Sequence, residues 1–229
     1  MVKKKSRLAL FIAILVFTIL ILALIIFTNL GTQSAQVAVP GVTEGNVFTY
    51  DVMGIVLSSS DSNATVPEQF LELNMTEWYK VTITKVSGPE VSISTVQRFK
   101  NGTEVSGTST VNVDTGISSP VRGFWAIYAA NLREQSRVRP NGPDRSTVND
   151  TIPRDYGAGG TRETNLLTLI TQYYDADDPT ITYTEYGNTY FDKQTGMLVE
   201  LRYISVYNDP KITLTLLWKI RSTNVWDIS

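Results

Sequence analysis

The sequence contains no histidine and no cysteine, and these two absences exclude whole classes of chemistry. Without histidine there is no Ser-His-Asp triad, no imidazole metal ligand and no side chain whose ordinary charge change falls near neutrality. Without cysteine there is no thiol nucleophile, zinc–thiolate site, iron–sulfur cluster or disulfide. A lipoprotein is excluded as well, since no thiol exists to be acylated. Charge is also sparse, at 18% of 229 residues. Nothing in this composition calls for a cofactor, and none is expected.

The formal net charge of −2 conceals an asymmetry. Residues 1–30 carry Lys3, Lys4, Lys5 and Arg7 and no acid, so the rest of the chain holds 16 of the 20 basic residues against all 22 acids. Immediately after the basic cluster, Leu8–Leu30 runs for 23 residues without a charge. As a helix it would extend about 34 Å, enough to cross a hydrocarbon core of roughly 30 Å. No basic residue follows it until Lys80. The positive-inside bias therefore predicts a cytoplasmic N-terminus (residues 1–7), a single transmembrane signal anchor (8–30), a linker (31–43) and an extracellular domain (44–229). A cleaved signal peptide is the competing reading, with Thr32 and Ser34 as small residues at cleavage spacing, although the apolar run exceeds the usual signal core of about 7–15 residues.

From Glu44 onward the pattern alternates with a period of two. Tyr79, Val81 and Ile83 alternate with Lys80, Thr82 and Thr84. Val91, Ile93 and Phe99 fall on one parity, as do Met197, Val199, Leu201 and Tyr203, and as do Ile212, Leu214, Leu216, Trp218 and Ile220. Successive side chains point to opposite faces of a strand, so each segment has one dry and one wet side, as in an antiparallel sheet packed on one face. Ser87-Gly88-Pro89-Glu90, Asn101-Gly102, Phe191–Leu198 and Asn208-Asp209-Pro210 supply hairpin turns between neighbours. With further strands at 46–53, 103–113, 146–152, 162–171 and 180–190, about nine strands are expected. The period changes only over Val121–Arg133, where Phe124, Trp125, Ile127, Tyr128 and Leu132 fit a short helix covering the sheet, with a buried strand as the alternative. The expected fold is an all-β ectodomain: a curved antiparallel sheet, as a half-barrel or a barrel, with one short helix. A domain of this length buries roughly 70% of its unfolded surface, so it needs no disulfide.

Several polar groupings are candidate sites. Asn63, Asn74, Asn101 and Asn149 each begin an Asn-x-Thr glycosylation sequon in an expected loop or strand edge. Asp175, Asp177 and Asp178 are the metal candidates, but the helix–loop–helix calcium pattern is absent and a solvated acidic turn is the preferred reading. Arg133, Arg137, Arg139 and Arg145 surround Pro140-Asn141-Gly142-Pro143; they read as an ordinary surface loop, with grip on an acidic glycan or lipid head group as the alternative. Their spacing lacks aromatic interleaving and the domain is acidic, which argues against nucleic acid. Tyr156–Arg162 is Gly-rich but has no phosphate-loop lysine, and reads as a turn. Trp78, Trp125, Trp218 and Trp226 read as core or sheet-edge aromatics rather than a sugar platform. Catalysis could rest only on carboxylate pairs separated by about 5–10 Å; Glu72, Glu77, Glu163, Glu185 and Glu200 are available, and no catalytic residue is assigned.

At Phe191–Leu201 (FDKQTGMLVEL) and Trp78–Gly102 (WYKVTITKVSGPEVSISTVQRFKNG) the chain resembles archaeal membrane-anchored proteins with β-rich ectodomains. Those proteins share a hairpin of the form aromatic-Asp-x-x-Thr-Gly-x-Leu. More distantly, the same hairpin resembles that of the curved-sheet carriers that sort bacterial lipoproteins. The second likeness implies an apolar concavity and carries over no site residue. Together these readings lead to a noncatalytic binding module, anchored in the cell membrane and facing outward, for an apolar or glycan ligand on the concave sheet face. A structural or adhesion role with an envelope protein partner is the alternative, and a carboxylate hydrolase the third.

Overall fold

The computed structural model describes residues 38–59, 66, 68–120, 123–174, 182–209 and 211–228. The expected transmembrane anchor at 8–30 lies outside them. Among the described residues no helix is long and apolar enough to cross a membrane. Val37–Ser229 form a compact unit by themselves. Among the described residues all ten strands and the hydrophobic core belong to this unit, so it folds around a core of its own.

The unit is built on one ten-stranded antiparallel sheet. In chain order the elements are β1 (Val47–Ser59), α1 (Glu68–Asn74), β2 (Thr76–Ser87), β3 (Glu90–Phe99), β4 (Glu104–Asn112), β5 (Ser118–Ser119), β6 (Asp150–Asp155), β7 (Thr161–Tyr174), β8 (Thr182–Asp192), β9 (Leu198–Tyr207) and β10 (Ile212–Thr223). Across the sheet the order is β5-β4-β3-β2-β1-β10-β9-β8-β7-β6. The first strand therefore sits in the middle, joined on one side to β2 and on the other to the last strand, β10. β5 and β6 form free edges, so the sheet is open and the barrel alternative is corrected. Each of the nine expected strands has a counterpart, although the one expected at 146–152 begins only at Asp150 and runs to Asp155, and β5 is an addition.

The turns explain the meander. Ser87 pairs directly with Glu90 across a two-residue turn, with Gly88 at φ +56. Pro89 cannot take a positive φ, which fits a type II′ turn and excludes type I′. In the next hairpin Gly102 adopts φ +86, and the Asn101 side-chain oxygen accepts the N–H of Thr103. Gly157–Gly159 form a 3-10 turn between β6 and β7.

Alternation sends one parity of each strand inward. Phe48, Tyr50, Val81, Ile83, Val91, Ile93 and Val111 are essentially inaccessible, whereas Glu77, Thr84, Lys85 and Arg202 are exposed. One expected grouping gains a member. Tyr190 and Phe191 oppose Glu200 and Leu198, so Val199 is the extra residue of a bulge. The bulge brings Leu198 to the cavity beside Leu201 and Tyr203, while Val199 stays buried in the same core as Met197 and Leu201.

The helix expected at 121–133 is also corrected. Its described part, 123–133, is irregular extended chain running across the inner face. Ile127 forms an isolated bridge with Met197, the N–H of Tyr128 donates to the Gly196 carbonyl, and the N–H of Leu198 donates to the Ala126 carbonyl. Ala126, Ile127, Tyr128 and Ala129 are buried in succession, more than one helix face would allow. The segment does cover the sheet, as expected of it. Among the described residues the α-helix is α1, where Phe70 and Leu73 follow Pro67 at helical spacing, a start signal that the alternation elsewhere outweighs.

Candidate functional site

The candidate site is a half-open cavity of about 470 Å³ on the inner face. Its origin is a divergence of strands. β1 pairs with β2 only over Val47–Tyr50 and then continues along β10 as far as Ser59. α1 packs against β1 beside this divergence, and a Cβ on Gly54 would come within 2.9 Å of the Phe70 ring. The absent side chain at Gly54 lets the helix lie close to the strand.

The floor comes from alternate residues of neighbouring strands. Tyr79 faces Gln97 across β2 and β3, and Trp218 and Leu216 face Leu201 and Tyr203 across β10 and β9. Leu73 of α1 and Gly123–Ala126 of the crossing segment form the walls. Tyr79 and Trp218 meet edge to face at 5.0 Å between ring centroids, and Phe124 lies 6.1 Å from Trp218 and 5.7 Å from Tyr50. These are ordinary separations for aromatic pairs, so the wall is pre-formed.

None of the lining residues carries a charge. Side-chain polarity is confined to the Gln97 amide, the Tyr79 and Tyr203 hydroxyls and the indole N–H groups of Trp125 and Trp218. Gln97 Nε2 donates to Thr76 Oγ1 at 2.9 Å, and the Tyr203 hydroxyl lies 3.5 Å from Thr189 Oγ1. Burial pushes both phenols above their ordinary range, so they stay neutral at physiological pH. The chemistry on offer is apolar contact with a few neutral hydrogen-bonding groups, which suits holding a molecule.

The other sequence candidates fall elsewhere. Asn74, Asn101 and Asn149 are all exposed; Asn149 also uses its Oδ1 to accept the N–H of Thr168. Asn63, Asp175, Asp177 and Asp178 lie outside the described residues. Glu77 pairs with Arg98, Glu163 with Lys193 and Glu200 with Arg154. Glu185 of β8, opposite Ser205 of β9, is half-buried, and desolvation raises its carboxyl. Trp125 and Trp218 line the cavity, whereas Trp226 is a core residue stacked edge-on with Tyr156.

The arginine cluster is not the uniform surface loop it resembled. Arg137 stitches its own loop together, donating to the carbonyls of Pro140, Gly142 and Asp144. Arg139 is 5% exposed. Sequence reasoning also passed over Leu73, Tyr79, Gln97 and Leu216 as lining residues. Their parity was readable, but the break in the β1–β2 ladder that exposes them was not.

The Asp-x-x-Thr-Gly hairpin has a structural job. Asp192 is fully buried and receives Arg162 through both oxygens, at 2.8 and 3.0 Å. Its Oδ1 also accepts the N–H and hydroxyl of Thr195. Gly196, at φ +73, brings its Cα against the carbonyl of Tyr128, where no side chain would fit. The motif thus pins the crossing segment to the sheet. The chain matches no model of a known protein family and no curated protein.

Proposed function

We propose that residues 44–229 form a noncatalytic extracellular binding module, held at the cell membrane by residues 8–30, that takes an apolar ligand on the concave inner face of the sheet. The observation that carries this reading is the half-open cavity of about 470 Å³ walled by Tyr79, Phe124, Leu216 and Trp218 without a charged lining residue. Apolar surface left in water costs about 25 cal/mol per Å², so an aromatic-walled cavity open to solvent favours an apolar occupant. A glycan would require several hydrogen-bonding side chains around a stacking ring, and Gln97 is the one amide here.

The test uses residues 37–229 and an uncharged naphthylamine dye that brightens in apolar surroundings. Binding of about one dye per chain is expected, with loss of binding in Leu216→Trp, which fills the cavity. Native mass spectrometry of protein gently extracted from its own cells is expected to show mass above that of the chain. Dye fluorescence unchanged by the protein, together with a bare mass, would reject the reading.

A further inference from the structure

A second cavity, of about 320 Å³, adjoins the first, and Trp125 lines both. Its floor is Leu167 and Leu169 of β7, Tyr128 forms a wall, and Arg139 is its one cationic lining residue. The Arg139 guanidinium lies 4.5 Å from the centre of the Tyr128 ring. Nη1 donates to the carbonyls of Ile127 and Val113 at 2.6 and 3.4 Å, and Nη2 to that of Trp125 at 3.0 Å.

Those carbonyls orient the charge without neutralising it. Among the described residues, Arg98, Arg154, Arg162 and Arg221 each have a carboxylate within ion-pair distance, but Arg139, the most buried arginine, has none. Asp144 lines the same cavity, yet it is exposed and its Oδ1 accepts both the N–H and the hydroxyl of Ser146. A solvated acid compensates a buried cation poorly, because water screens it. Desolvation correspondingly lowers the Arg139 guanidinium from its ordinary value. A buried ion without a counter-ion carries an effective penalty of several kcal/mol. The Nε–H and one Nη2–H have no acceptor among the described residues, and a guanidinium matches the oxyanions of a carboxylate or phosphate.

We propose that Arg139 receives the oxyanion head of a single-chain amphiphile whose apolar body lies past Trp125 in the larger cavity. The inference rests on the apolar-ligand reading above and adds the head group to it. Trp125 is 39% exposed and stands where the chain would pass from one cavity to the other.

Dodecanoate, dodecyl phosphate and dodecanol share one tail and differ in the head. Each is used to displace the uncharged dye from residues 37–229 at pH 8, below its micelle-forming concentration. At least one anion is expected to displace the dye at a concentration about tenfold lower than dodecanol, a difference of about 1.4 kcal/mol. The better anion then identifies a fatty-acid-like or a phosphate-like head. The preference is expected to vanish in Arg139→Gln. It is also expected to vanish in Leu169→Glu, which keeps Arg139 and its three carbonyls while adding a carboxylate to the small cavity. Dodecanol displacing the dye as well as or better than both anions overturns the head-group inference and leaves the apolar reading intact. An anion preference unchanged in Leu169→Glu overturns it too. Failure of the dye itself to bind, together with a bare native mass, overturns both.

Discussion

Two parts of the inner face begin from the same strand pattern and end differently. Around the turn that follows β8, Phe191, Met197, Ile127 and Tyr128 are almost wholly inaccessible, and the Tyr128 and Phe191 rings stack at 4.3 Å. There the crossing segment is tied down by the Asp192–Arg162–Thr195 cluster and by backbone bonds to Gly196. A few residues further along β9 and β10, Tyr203, Leu216 and Trp218 are only half-buried and surround open space. Alternation makes a dry face in both places. What differs is the cover: a segment bolted to the sheet in one region, and a short helix leaning over a strand divergence in the other. A dry face becomes core or cavity according to what is held against it.

The comparison can be broken most forcefully at Asp192. Replacing it by alanine strands the Arg162 charge and frees the Thr195 turn, and removal of one partner of a buried pair costs about 3–5 kcal/mol. Urea denaturation of D192A is expected to show that loss; a change below about 1 kcal/mol would mean the hairpin does not anchor the cover. The next test compares truncations across the two regions. Ile83→Ala, in filled core, is expected to cost about 2–5 kcal/mol, because the surroundings cannot collapse into the vacated volume. Leu216→Ala, beside existing open space, is expected to cost under about 1.5 kcal/mol. Equal costs in urea would show the two regions to be packed alike.

The smallest effect concerns Glu185, on the cavity side of β8 near Tyr203. Desolvation raises its folded-state carboxyl above the unfolded value. The fold therefore favours the protonated form, and this contribution is fully present below the unfolded carboxyl range, about pH 4.3. It is lost as pH rises through the higher folded-state value. Glu185→Gln cannot ionise, so its thermal midpoint is expected to lie slightly above that of the parent at pH 7. The two midpoints are expected to converge near pH 4, and a variant less stable than the parent at pH 7 would show that the carboxylate has a stabilising partner.

Much of the sheet was legible in the chain. The parity of β2, β3 and β10 and the places of the hairpin turns all follow from local rules, since each depends on residues within one strand or one turn. Three features were not legible. The bulge at Val199 buries two successive residues, Leu198 and Val199, and it shows only in the pairing of β9 with β8. The stretch from Gly123 to Arg133 has helical spacing by composition, but its backbone groups bond mainly to distant residues such as Gly196, Leu198, Val39 and Lys193, with no helical ladder among themselves. Arg139 looks like its exposed neighbours Arg133 and Arg145 in sequence, and only the long-range carbonyls of Val113, Trp125 and Ile127 distinguish it. The candidate site was legible as a dry face, not as a cavity.

By itself the sequence determined that the chain from Glu44 onward is an antiparallel sheet with one dry face. The reason is that side-chain direction in a strand is set residue by residue through the pleat. It also excluded imidazole and thiol chemistry outright, since those groups are missing from the chain. Only the tertiary structure decided where the dry face closes and where it stays open. That outcome depends on β1 leaving β2 after Tyr50, on α1 meeting Gly54, and on one arginine being drawn beneath the cover without an acid. Each of these contacts joins residues far apart in the chain, and its energy exists only once they are brought together.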